Sequence, residues 1–164
     1  MRASLLVICF AAICTTPSFN ASAQATVILV RHGEKFDFSP DPVLSSQGEA
    51  RAALLANMLA ASGVRAIYTT QYQRTMLLAA PTAKRLGVVP VVIPAKNTDA
   101  LLAKIRTHAR DEVVLVVGHS NTVPAILKGL GHTTNVTVTE EDFDNLFIVA
   151  MQPSGPPTVV RLKY

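Results

Sequence analysis

Two arginines and two histidines stand where they could carry out chemistry in this chain of 164 residues. Arg31 and His32 come directly after an apolar run, in the stretch LVRHGEK, and His119 follows a second apolar run, in GHSN. Arg74 comes shortly after a third, in IYTTQYQRT. Charged groups at the end of an apolar strand cost desolvation free energy unless a ligand or a reaction needs them. The chemistry of that ligand is therefore the first question that the sequence raises.

The chemistry that these four side chains favour is the binding and transfer of a phosphoryl group. The planar guanidinium of arginine pairs with two phosphate oxygens and stays charged, so it can hold both the dianion and the charge that spreads during transfer. A neutral imidazole is a nucleophile that divides hydrolysis into phosphorylation and dephosphorylation of the enzyme. A second histidine, if protonated, donates a further hydrogen bond to the phosphate.

The elements that must position these residues alternate between strand and helix. Apolar runs predict strands at 26–30, 64–70, 88–93, 112–119, 145–152 and 158–164, and helical spacing predicts helices at 45–63, 74–86, 98–109 and 122–131. Apolar strands separated by helices predict an α/β fold, a single-domain three-layer sandwich with a mostly parallel central sheet and helices on both faces. Ligands of such sheets bind at the carboxyl ends of the strands, where both histidines stand.

The motifs together resemble branch 1 of the histidine phosphatase superfamily, the group that includes the phosphoglycerate mutases. VRHGE, LSSQGEARA, IYTTQYQRT and VVGHSN stand in the family's order, and the likeness runs from about residue 27 to residue 164. It implies a phosphoglycerate mutase-like fold and a phosphoric monoester hydrolase of the histidine acid phosphatase type. It also implies that His32 is the phosphorylated nucleophile, that Arg31 and Arg74 clamp the phosphate, and that His119 is the second phosphate-binding histidine.

The remaining parts of the predicted site leave alternatives open. Glu34, within the motif, could protonate the leaving oxygen or orient a neighbour. Asp99 is the other candidate acid, although a first-turn carboxylate is also favoured by the helix dipole alone. Ser120 is predicted to bind substrate and, with its neighbour, to cap the following helix; aspartate there would have indicated the second branch. Gln71 and the apolar run after Arg74 depart from the family and predict a more apolar pocket entrance.

The first 25 residues are typical of a secretory leader. Arg2 precedes an apolar stretch that falls short of the ~20 residues needed to span a bilayer. Cleavage after Ala23 or Ala25 gives a histidine phosphatase domain over residues 26–164, which we expect to be periplasmic or secreted, with no stable membrane insertion. Removal of Arg2 lowers the formal charge from +4 by one, and both cysteines leave with the leader.

The composition and charge of the chain limit the classes of binding partner that we expect. The basic residues are scattered and lack interleaved aromatics, so no nucleic-acid partner is expected, and a modest positive charge suits a phosphorylated small molecule or envelope substrate. Neither a metal ion nor another cofactor is expected, since the acids and histidines lack ligand spacing. The favoured function is a phosphatase that hydrolyses phosphomonoesters, or related phosphoryl groups, through a phosphohistidine on His32. A phosphoglycerate mutase-like phosphotransferase and a non-catalytic phosphate-binding module remain as alternatives.

Overall fold

The computed structural model describes residues 25–108 and 111–164. The predicted leader, residues 1–25, lies outside this description except for Ala25. The strands of the described part are β1 (Thr26–Arg31), β2 (Val64–Thr69), β3 (Val91–Val92), β4 (Val113–Gly118), β5 (Asn145–Ala150) and β6 (Thr158–Lys163). Its helices are α1 (Ser46–Met58), α2 (Gln73–Leu86), α3 (Thr98–Arg106) and α4 (Thr122–Gly129).

All these strands form one sheet in the order β3-β2-β4-β1-β5-β6. The neighbours from β3 to β1 pair in parallel, whereas β5 is antiparallel to β1 and β6 is antiparallel to β5. Because β5 runs the opposite way, the segment that enters it arrives beside the carboxyl end of β1. The predicted α/β sandwich with a mostly parallel sheet is confirmed.

Apolar side chains on both faces of the sheet hold the three layers together. Val27 and Leu29 of β1 pack in a cluster with α3 and α4, whereas Ile28 and Val30 pack with α1 and α2. This alternation follows from the two-residue period of a strand. Residues 27–30 of β1 and 113–117 of β4 are therefore all apolar, and polar residues follow where these two strands end.

One predicted strand is shorter in the structure than in the prediction. The strand predicted at 88–93 is reduced to the two paired residues of β3, an edge strand, and Pro90 cannot donate a ladder hydrogen bond. In the described part of the chain, no helix has the length and apolar character that crossing a membrane requires.

The start of α1 packs directly on the loop that follows β1. A Cβ atom on Gly48 would lie 2.5 Å from the carbonyl oxygen of Glu34, and one on Gly33 would lie 3.1 Å from the Cα of Gly48. The Ser45 side chain caps the helix by accepting a hydrogen bond from the Gly48 amide at 3.3 Å. Glycine at both contact positions therefore lets the helix approach the loop that carries His32.

Candidate active site

The two histidines come together because they follow neighbouring, paired strands. Arg31 of β1 is in register with Gly118 of β4, and the His32 amide extends this ladder by donating to the Gly118 carbonyl at 3.0 Å. His119 is the next residue of the other strand. The centres of the two imidazole rings lie 5.3 Å apart, and the residues are 4% and 7% exposed.

His32 is prepared as a nucleophile by its own loop. Its Nδ1 lies 2.8 Å from the carbonyl oxygen of Gly33, which can only accept, so Nδ1 carries the hydrogen and Nε2 carries the lone pair. Burial lowers the pKa of His32 to about 3, and the charges of Arg31 and Arg74 act in the same direction. The ring is therefore neutral, with its lone pair available, over the ordinary pH range.

His119 is fixed by the threonines that follow β2. Its Nε2 lies 3.0 Å from the Thr70 hydroxyl, which lies 3.0 Å from the hydroxyl of Thr75. Burial lowers the pKa of His119 to about 4, and Arg74 and Arg31 contribute to the shift. The second histidine is thus neutral in the free protein, and it would need an anion beside it to become the protonated donor that the sequence suggested.

The side chain of Arg31, the residue before His32, is fully buried. Its two terminal nitrogens donate to the Thr139 carbonyl at 2.6 Å and to Glu140 Oε2 at 2.8 Å. The Phe143 ring lies 4.2 Å from the guanidinium carbon. The Nε atom is buried without a hydrogen-bond partner in the described part of the protein.

Arg74 has more buried nitrogen atoms without a described hydrogen-bond partner than Arg31 has. Among the described residues its buried Nε and Nη1 have no hydrogen-bond partner, and Asp41 Oδ1 is 3.8 Å from Nη1. The guanidinium lies 4.3 Å over the ring of Tyr72, whose edge packs against His119 with centres 5.4 Å apart. Buried donors without partners are costly, so these arginine N–H groups indicate a site for an anion.

His32, Arg74 and His119 line a cavity of about 580 Å³, whereas Arg31 is not part of its described lining. Its described lining consists of His32, Lys35, Gln71, Tyr72, Arg74, Ala95, Lys96, His119, Ser120, Asn121 and Glu140. The expectation of a more apolar entrance is wrong, because Ala95 is the one aliphatic residue in that lining. The Gln71 side chain accepts a hydrogen bond from the Ala95 amide at 2.9 Å and so anchors the loop that carries Lys96.

The two carboxylates predicted as candidate acids both lie outside the cavity lining. Glu34 receives hydrogen bonds from the Arg51 guanidinium at 2.6, 3.0 and 3.1 Å. Burial alone would raise the pKa of Glu34, but these hydrogen bonds outweigh it and lower the pKa below its usual value. Asp99 is an exposed first-turn residue of α3. The structure thus brings His32, His119 and Arg74 to the cavity, holds Arg31 against the lining residue Glu140, and leaves Glu34 and Asp99 apart from them.

The carboxylate that does line the cavity is Glu140, which sequence reasoning missed. Its Oε1 accepts a hydrogen bond from the Ser120 hydroxyl, and this bond lowers the pKa of Glu140. Ser120 therefore lines the cavity as predicted, but it does not cap α4, and the Asn121 side chain makes no capping hydrogen bond either. In the described part of the chain, no three His, Cys, Asp or Glu residues are grouped so that they could hold a metal ion.

Comparison with known proteins agrees with this geometry. Residues 27–98 match the sequence model of the histidine phosphatase superfamily (branch 1). The predicted resemblance to this superfamily is confirmed. The protein histidine phosphatase SixA complexed with tungstate has the same fold as this chain, with a TM-score of 0.68, 19% sequence identity and coverage of 84% of this chain and 96% of that one.

Two mycobacterial proteins are also similar to this chain. The native structure of glucosyl-3-phosphoglycerate phosphatase Rv2419c aligns with a TM-score of 0.66 and 13% identity, covering 85% of this chain and 97% of the other. The PE-PGRS family protein PE_PGRS11 of Mycobacterium tuberculosis (strain ATCC 25618 / H37Rv) is 40% identical over 88 residues, which is 48% of this chain. The present chain spans only 15% of the length of that relative.

Proposed function

We propose that this protein is a phosphatase that hydrolyses phosphomonoesters, or related phosphoryl groups, through a phosphohistidine on His32. One observation carries the proposal: a neutral imidazole with an available Nε2 lone pair lines a polar cavity beside buried arginine N–H groups that lack partners. Those donors suit the equatorial oxygens of a phosphoryl group, whose charge they can stabilise as it redistributes.

In the first half-reaction the Nε2 lone pair of His32 attacks phosphorus, and the bond between phosphorus and the leaving oxygen breaks. Arg31 and Arg74 hold the phosphoryl oxygens in line with Nε2. His119 binds the same group and gains a proton when the dianion arrives, because a nearby negative charge raises the pKa of an imidazole. In the second half-reaction water displaces His32 from phosphorus and releases inorganic phosphate.

The substrate is proposed only by chemical class. A cavity of about 580 Å³ is much larger than the space taken by one phosphate, so it leaves room for a substantial leaving group. Similar structures include a protein histidine phosphatase and a glucosyl-3-phosphoglycerate phosphatase, which makes both nitrogen-bound and oxygen-bound phosphoryl groups reasonable substrates to assay. We further propose that the protein acts after export, on phosphorylated small molecules or envelope components.

Turnover of p-nitrophenyl phosphate by purified protein, with a chelator present, tests the proposal. We expect His32→Ala to abolish turnover, and a brief exposure of the wild type to labelled substrate to leave an acid-labile, base-stable phosphate on His32. His132→Ala is the matched control, because this histidine lies away from the cavity lining and should be dispensable. Binding of phosphate without turnover would point to a non-catalytic module, and transfer to an acceptor other than water would point to a mutase. An acid-stable phosphoserine would contradict the assignment of His32 as the nucleophile.

A further inference from the structure

Glu140 differs from every other carboxylate of the described chain because it alone lines the cavity that holds His32. It lies in the segment that leads into β5, and two of its neighbours in this segment also contact the site. The Thr139 carbonyl accepts from Arg31, and the ring centre of Phe143 lies 5.9 Å from that of His32. The whole segment thus packs against the residues that would hold the phosphoryl group.

The position of the Glu140 side chain is set from two sides. Oε2 accepts from Arg31 at 2.8 Å, and Oε1 accepts from the Ser120 hydroxyl, next to His119 in the chain. The carboxylate is therefore held across the cavity between the residues adjoining the two histidines. Since 64% of the side chain remains exposed, water reaches it.

We propose that Glu140 is the general base of the second half-reaction and accepts a proton from the water that attacks the phosphohistidine. This assignment rests on the proposed function. The water oxygen forms the new bond to phosphorus, the phosphorus–Nε2 bond breaks, and its electron pair returns to His32. The proton lost by water passes to the Glu140 carboxylate and then to solvent, and hydrogen phosphate leaves.

The environment of Glu140 favours a base over an acid. The Ser120 hydrogen bond and the charge of Arg31 lower the pKa of Glu140, so the resting side chain is a carboxylate and holds no proton for a leaving oxygen. In the first half-reaction the leaving oxygen then takes its proton from solvent. The two half-reactions should consequently depend on Glu140 to very different degrees.

Rapid-mixing kinetics with p-nitrophenyl phosphate and Glu140→Gln separate the half-reactions. A general base contributes about 100-fold or more, so steady-state turnover should fall by that factor. The first release of p-nitrophenol should keep its wild-type rate, which gives a burst close to stoichiometric with active sites, and labelled phosphate should accumulate on His32. Glu140→Asp, which keeps the carboxylate, should recover a large part of the turnover.

Glu141→Gln is the matched control. This exposed neighbour carries the same charge and also acts on Arg31 through space, but it does not line the cavity. Its turnover should equal that of the wild type. An equal loss in both glutamine variants would overturn the assignment in favour of a general charge effect on Arg31.

Two further outcomes would also overturn it. A Glu140→Gln burst that slows as much as the steady state would mean that Glu140 acts in the first half-reaction or only positions Arg31. A raised KM with unchanged kcat would mean that it affects binding alone. Failure of the proposed function is recognised separately, because the wild-type protein itself would then yield no phosphate on His32.

Discussion

The floor and the rim of the cavity are built in different ways. The floor consists of the lining residues His32, Arg74 and His119, and we include Arg31, which contacts the lining residue Glu140; these four side chains are largely buried. The rim consists of Lys35, Lys96, Ser120 and Glu140, which are partly or fully exposed. Floor residues end core strands or open a helix, whereas most rim residues lie on loops. The comparison suggests that the floor determines the reaction, and that the rim determines which water and which substrate take part.

Replacement of Arg74 by lysine should give the largest effect among changes that keep the charge of the floor. Lysine cannot reproduce the bidentate geometry of a guanidinium, so kcat and kcat/KM should fall together by more than about tenfold. The melting temperature should stay near the wild-type value. Arg65→Lys, at an exposed position of β2, serves as the control in the same assay. A near-normal kcat/KM for Arg74→Lys would mean that the Arg74 guanidinium does not bind the phosphoryl group in the transition state.

The free energy of unfolding should fall as the pH is lowered, because the two buried histidines of the floor resist protonation in the folded protein. The pKa is about 3 for His32 and about 4 for His119, below the usual 6.5, so the unfolded chain binds more protons than the folded protein from about pH 6.5 down to about pH 3. The stabilisation is complete above about pH 6.5 and is lost as the pH falls, at up to about 1.4 kcal/mol per pH unit for each histidine.

Denaturant unfolding of wild type and His119→Gln at about pH 7 and about pH 4.5 measures this loss. The wild-type free energy of unfolding should fall more steeply between the two conditions than that of the variant, which lacks one of the histidines. The variant also loses the lowering effect of His119 on the pKa of His32, which changes the difference in the same direction. Parallel pH dependences would contradict the lowered pKa of His119.

The smallest effect should come from the rim lysine, Lys96. This residue is exposed, and solvent and salt screen its charge, so Lys96→Gln should change kcat/KM for p-nitrophenyl phosphate by less than about threefold. A panel of larger phosphorylated compounds, assayed with the same variant, would sharpen the comparison. A tenfold loss with the small substrate would mean that Lys96 takes part in the reaction itself and not only in the choice of substrate.

The placement of the two histidines at one edge of the sheet follows from the sequence for a physical reason. Apolar runs identify buried strands, and the polar residues directly after a buried strand must lie at its carboxyl end. His32 and His119 were therefore assigned to one edge of the sheet without knowledge of the strand order. The roles of these residues in catalysis remain predictions.

Ser120 of the rim is predicted from the sequence, but Glu140 is missed because its placement depends on tertiary pairing. Glu140 precedes a strand, and only the antiparallel pairing of β5 with β1 brings that segment to the carboxyl end of β1. The acidic run at 140–142 was visible in the sequence, but the direction of β5 was not. Likewise, nothing near Glu34 indicated that Arg51, on a separate helix, would hold it away from the cavity.

The amide hydrogen bond from His32 to Gly118 makes the distance between the two histidines a property of the main chain. Paired strands lie about 4.8 Å apart whatever apolar side chains they carry. Mutational drift can therefore replace most of the valines, leucines and isoleucines of β1 and β4 and still leave the imidazoles side by side. A register slip of one residue would instead turn His32 to the opposite face of the sheet. Over evolutionary time, the identity of the core residues is free to change, and their pairing is not.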